Sequence, residues 1–185
     1  MKKLLSLVFA VLAFVFTTGI TNAPAAEAAR VAVLPLQQDN LVKDEEDTHD
    51  YNTLYWDVAT DLYKFPSFDL LGDDEIQKAL PAEGLKDFSE ATLRAFADKT
   101  EADLVVAMRL DELTSKGLMG RREQTIAMNM KGDFASYNRI SGKYMHKKIY
   151  EQDEVEEVLL VRGDWRGEYF TKLAKRYMER ALKLK

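Results

Sequence analysis

The richest local concentration of metal-ligand chemistry in the sequence is Asp44-Glu45-Glu46-Asp47-Thr48-His49-Asp50. Carboxylate oxygens suit a hard cation such as calcium, and His49 could add a nitrogen ligand, so Asp44, Glu46, Asp47, His49 and Asp50 are the candidate metal ligands. The spacing departs from the EF-hand loop D-x-[DN]-x-[DN]-G, and the run has no glycine for the sharp turn that such a loop needs. The competing reading is a solvated charge run that ends in a helix cap. A second group is cationic. Lys143, His146, Lys147 and Lys148 follow one another closely, and Arg121 and Arg122 precede the same hairpin. Together they could bind an anionic partner, or the lysines could guard a sheet edge against aggregation.

Other runs resemble sites and lack a necessary part. Ser141-Gly142-Lys143 has no upstream glycine at phosphate-loop spacing and falls in a turn, not ahead of a helix. Gly72-Asp73-Asp74 puts two carboxylates at a helix start, where the helix dipole favours them. With two histidines and no cysteine, a thiolate site, a disulfide framework and a multi-histidine zinc site are excluded. No catalytic residue and no cofactor-binding residue is assigned. The expected cofactor is none.

The elements that carry these residues follow from hydropathy patterning. Arg30–Leu36 is a short buried strand, and Gln37–Asp50 a polar loop. Asp50 caps a helix over 51–63, whose Tyr51, Leu54, Tyr55, Val58 and Leu62 form one apolar face. Pro66 stops it, and Phe68–Leu71 is a second strand. A short helix runs from Gly72 to about Leu80, and Ser89 caps the next. Ala102–Met108 is a third strand that continues to Leu113, with a turn at Gly117 and Gly120. In 126–134 apolar residues alternate with Ala127, Asn129, Lys131 and Asp133, which predicts a strand exposed on one face. A turn at 137–143 leads to a returning strand over 143–150. Glu151–Glu157 reads as an acidic linker, and Val158–Val161 as either strand or helix start. From Asp164 onward, apolar positions at spacings of three and four predict a long terminal helix. Its Lys172, Lys175, Arg176 and Arg180 face outward. Strands alternating with helices, then a hairpin, give an α/β domain with a mixed sheet in two or three layers.

The beginning of the chain is patterned for export. Lys2 and Lys3 precede the uncharged stretch Leu4–Phe16. Ala23-Pro24-Ala25 and Ala26-Glu27-Ala28 both fit a small-residue cleavage site. Residues 1–28 are therefore expected to be a cleavable signal peptide, and 29–185 a single envelope domain, periplasmic or secreted. The apolar stretch is short for a bilayer span, which needs roughly 20 residues, so no transmembrane anchor is expected after cleavage. Removing Lys2, Lys3 and Glu27 from the 26 basic and 31 acidic residues leaves a net charge near −6. That argues against a nucleic-acid partner.

Particular residues also carry a family resemblance. The opening Val31-Ala-Val-Leu-Pro35, the short Phe68-Asp-Leu-Leu71, the approach Thr100-Glu-Ala-Asp103-Leu-Val-Val106 and the turn Tyr137-Asn-Arg-Ile-Ser-Gly-Lys143 occur in this order. The last two are similar to a T-G-A-D-hydrophobic segment and a D-x-x-T-G-K turn. The chain thereby resembles the envelope domain shared by the amino-terminal part of TolB, the curli-assembly protein CsgG and the penicillin-binding-protein activator LpoB. The resemblance implies a non-enzymatic module that scaffolds, assembles or activates another envelope protein through protein–protein contacts, and homo-oligomers are compatible with it. It departs from the family in lacking a lipidation cysteine and a β-propeller, and its hairpin is too polar for a lipid-facing barrel strand. The alternatives are a metal-assisted hydrolase built on the 44–50 loop and a purely structural secreted oligomer.

Overall fold

The computed structural model describes residues 28–184 apart from 44, 46, 83, 119–123 and 158–164. The expected signal peptide, the Gly120 turn residue and Val158–Val161 lie outside the described residues. Among the described residues nine elements follow one another: β1 (Ala29–Val33), α1 (Tyr51–Leu62), β2 (Phe68–Leu70), α2 (Asp73–Ala79), α3 (Glu90–Thr100), β3 (Leu104–Leu118), β4 (Gln124–Asn138), β5 (Lys143–Glu157) and α4 (Trp165–Ala181). The strands form one sheet in the order β2-β1-β3-β4-β5. β1 pairs in parallel with β2 and β3, and β3–β4 and β4–β5 are antiparallel. The expected mixed α/β architecture is present, with three layers.

The layers follow from strand alternation. Val31, Val33, Leu104, Val106, Met108, Phe134 and Ile149 face α1 and α4, where Tyr51, Tyr55, Phe170, Leu173 and Tyr177 close the larger core. Ala32, Leu34, Val105, Ala107, Ala135 and Tyr137 face α2 and α3, against Ile76, Leu93 and Phe96. The Tyr51 and Phe170 rings meet edge to face at 5.0 Å, and the Tyr63 hydroxyl donates to the Met178 carbonyl at 3.3 Å. These contacts bind α1 to α4.

The start of α1 is fixed by two carboxylates with different tasks. Asp50 accepts from the backbone N–H groups of Asn52 and Thr53 at 3.1 and 3.3 Å, as an N-cap does. Asp47 is buried. It accepts from the His49 backbone at 3.1 Å, stands 2.7 Å from His49 Nδ1 and accepts the Tyr51 hydroxyl at 2.5 Å. Burial by itself pushes the Asp47 carboxyl up. The hydrogen bonds from Tyr51 and His49 outweigh that, and the net shift is downward.

Three sequence expectations are corrected. β4 is less exposed on its polar side than expected: Asp133 is buried and Ala127, Asn129 and Lys131 are half-buried, because side chains of β3 and β5 flank them on the same face. Glu151–Glu157 is not a linker but the second half of β5. Two of its acids are paired with α4. Arg176 reaches Glu151 at 3.3 Å, Lys172 reaches Asp153 at 3.8 Å, and the Tyr177 hydroxyl donates to Glu151 at 2.9 Å. Gly117 lies within β3 and does not form a turn.

Register across the long strands is held by a close approach. Opposite the irregularity between Leu110 and Glu112 stands Gly132. A Cβ there would lie 2.0 Å from the Arg109 carbonyl oxygen. Gly132→Ala is expected to destabilise the domain by about 3 kcal/mol, the upper range for overpacking, measured by urea unfolding; a loss under about 0.5 kcal/mol would contradict the contact. The Asp47 carboxyl is held below its unfolded value, so its contribution is present at neutral pH and lost as pH falls through the folded-state value, below 3.8. Asp47→Asn should therefore lower stability at pH 7 by about 2 kcal/mol. Thermal melts should show the difference from wild type shrinking as pH drops below 3.8.

Candidate protein-binding face

The face of the sheet that packs on α2 and α3 is only half covered. Beyond Ala107 and Ala135 its side chains belong to the distal halves of β3, β4 and β5 and turn from apolar to charged. Alternation sets which residues appear. On β4, Asp133, Lys131 and Asn129 share this face with Ala135. The register brings Arg109 and Lys148 beside Asp133, and Glu112 and Tyr150 beside Lys131.

Two cross-strand rows result. In the first, Asp133 is 8% exposed and is pinned between the Arg109 guanidinium and His146 Nε2, the latter 3.0 Å away. Arg109 also donates to Asp111 at 2.8 Å. The hydrogen bond to Asp111, with the charge of Asp133 beside it, raises the Arg109 pKa. In the second row Lys131 meets Glu112 at 2.6 Å and stands 5.6 Å over the Tyr150 ring. The bond to Glu112 raises the Lys131 pKa. Asn129 donates to the same Glu112, while its amide oxygen meets no donor among the described residues. Such cross-strand pairs add a few tenths of a kcal/mol each to a sheet. Tyr150, 71% exposed, is a large apolar ring with a polar tip on an otherwise charged surface. The face ends against a cleft of about 550 Å³, where Leu34, Pro35, Gln37, Leu85 and Phe88 come against Arg109.

The structure distributes the sequence candidates unevenly. Asp44, Glu46, Arg121 and Arg122 lie outside the described residues. Asp47 and Asp50 turn their oxygens to different donors around the start of α1, and His49 sits against Asp47. Among the described residues no group of three or more histidine and acidic side chains is placed to hold a metal ion. Lys143, His146, Lys147 and Lys148 are all on β5, but alternation divides them. His146 and Lys148 belong to the charged face, whereas Lys143 and Lys147 are on the side of Met145 and α4. Ser141-Gly142 is the tip of the β4–β5 turn, with Gly142 at φ +66° and the Ser141 hydroxyl donating to the Leu184 carbonyl at 3.0 Å. Lys131 and Asp133 show in the sequence only as the polar half of the β4 alternation, and Arg109, Asp111, Glu112 and Tyr150 carry no sequence signal of a shared face; their neighbours appear only once three strands are in register.

No family model matches the chain, and no curated protein matches it. Among solved structures, it is similar to lipoprotein GNA1162 from Neisseria meningitidis, at 7% identity and TM-score 0.44 over 82% of this chain and 99% of that one. It is also similar to the LpoB C-terminal domain from Salmonella enterica, at 11% identity and TM-score 0.38 over 76% and 92%. A third is the PelC dodecamer from Paraburkholderia phytofirmans, at 13% identity and TM-score 0.40 over 85% and 91%. The overlaps are broad in coverage and loose in superposition.

Proposed function

We propose that this chain is an exported cell-envelope module that binds another envelope protein, in an assembling or regulating role, and carries out no chemistry of its own. The observation that supports it is the uncovered half-face of β3–β4–β5. There the charged side chains are already paired into rows, and a cleft and an exposed tyrosine border them. Side chains held in place before binding lose less entropy when a partner arrives, and complementary charge favours specificity over raw affinity. Export is supported by the Lys2–Lys3, Leu4–Phe16 and Ala26–Ala28 pattern. No described helix is long and apolar enough to cross a membrane.

Two measurements test this reading. Amino-terminal sequencing of the protein recovered from the envelope or medium should begin at Ala29; retention in the cytoplasm with Met1 intact would contradict export. For the binding face, a photo-crosslinking residue at Lys116, exposed on β3, should capture one other envelope protein in living cells. The same probe at Lys175, on the outer side of α4, should not. Equal or absent capture at the two positions would overturn the assignment of the face.

A further inference from the structure

β5 is a fifteen-residue strand at the edge of the sheet, and among the described residues nothing pairs with its outer side. A free edge of that length is a template for another strand. Its charges are sorted along its length. The first half carries Lys143, His146, Lys147 and Lys148, and the second half carries Glu151, Asp153, Glu154, Glu156 and Glu157. A strand with this polarity complements itself only when it is turned end for end.

We propose that two copies of this chain pair edge to edge through β5, antiparallel about a two-fold axis at Tyr150, so that their sheets become continuous. Directly opposed residues of an antiparallel pair share a face. An axis at Tyr150 therefore sets each residue against the one equally far beyond it. Lys147 meets Asp153, His146 meets Glu154 and Lys148 meets Gln152, and two-fold symmetry repeats every pair. Parallel pairing would instead set lysine against lysine and acid against acid. Charge thus selects the antiparallel direction, and an axis at Tyr150 keeps the lysines of one copy beside the acids of the other. Nothing described obstructs the approach. α4 packs over β3 and β4, where the Tyr177 ring meets Phe134 at 5.4 Å and Arg166 donates to Ser115 at 2.9 Å. Only its long side chains extend to Glu151 and Asp153. The interface is isologous and closed, so it stops at a dimer.

Light scattering on the purified exported chain tests the mass. A dimer is expected at low salt, weakening as ionic strength rises and screens the pairs. Lys147→Glu with Lys148→Glu makes β5 acidic from residue 147 onward, and Asp153→Lys with Glu154→Lys makes it basic over most of its length. Each double variant alone should show at least a tenfold weaker dimer. Mixed together, the two should form a heterodimer, which a variant that merely misfolds could not do. The chain has no cysteine, so Tyr150→Cys gives a clean trap. Opposed Cα atoms about 5 Å apart lie within disulfide reach, and the variant should oxidise to a covalent dimer, while His146→Cys, far from its own copy, should not. A monomer at 100 micromolar-scale concentration with no Tyr150→Cys crosslink would overturn the proposal, as would a dimer indifferent to both charge reversals. The products also separate this from the partner-binding reading, because a self-crosslink has twice the chain mass and a partner crosslink does not.

Discussion

The register of β4 between β3 and β5 is the constraint on which the rest depends. Strand side chains alternate with a period of two, so a slip of one residue would carry Asp133 and Lys131 into the core and expose Phe134 and Met130. Three local features oppose that slip. Gly132 admits the Arg109 carbonyl where any side chain would collide with it. The irregularity between Leu110 and Glu112 resets the phase of β3. The turn at 139–142 joins Asn138 to Lys143 and is braced by Arg139, which donates to the Ala102 carbonyl at 3.0 Å and to Asp103 at 2.9 Å.

With the register fixed, the two faces of the long strands acquire different roles. The side under α1 and α4 is apolar and closed, with Met108, Leu110, Met130 and Phe134 fully buried. α4 supplies this core from one stripe and sets Lys172 and Arg176 against Asp153 and Glu151 of β5. The opposite side is covered only near the start of β3. Further along, its charges satisfy one another across three strands. The apolar side therefore does most to hold the sheet together.

The acidic loop shows how tertiary placement separates carboxylates that are neighbours in the sequence. A metal site needs carboxylates converging on one point. Asp47 turns inward to Tyr51 and His49, and Asp50 turns along the helix to Asn52 and Thr53. Donors within the chain thus occupy the described oxygens that the sequence offered to a cation.

Much of the fold was legible in the sequence because its signals are local. The caps at Asp50 and Ser89, the apolar stripe from Tyr169 to Ala181 and the strands at Val31 and Val105 each depend on neighbours a few residues away. So did the mixed α/β class, which follows from the order of the elements. Less legible were the length of β5 and the burial of β4. An acidic run such as Glu151–Glu157 reads as solvent-facing until α4 brings its cations over it, and a polar alternation reads as exposed until side chains of β3 and β5 flank it. The cationic cluster was visible as four residues, but its division between two faces was not a matter of composition. That division, and the rows that join Arg109 to Asp133 and Lys131 to Glu112, depend on pairings between residues far apart in sequence, which only the assembled sheet decides.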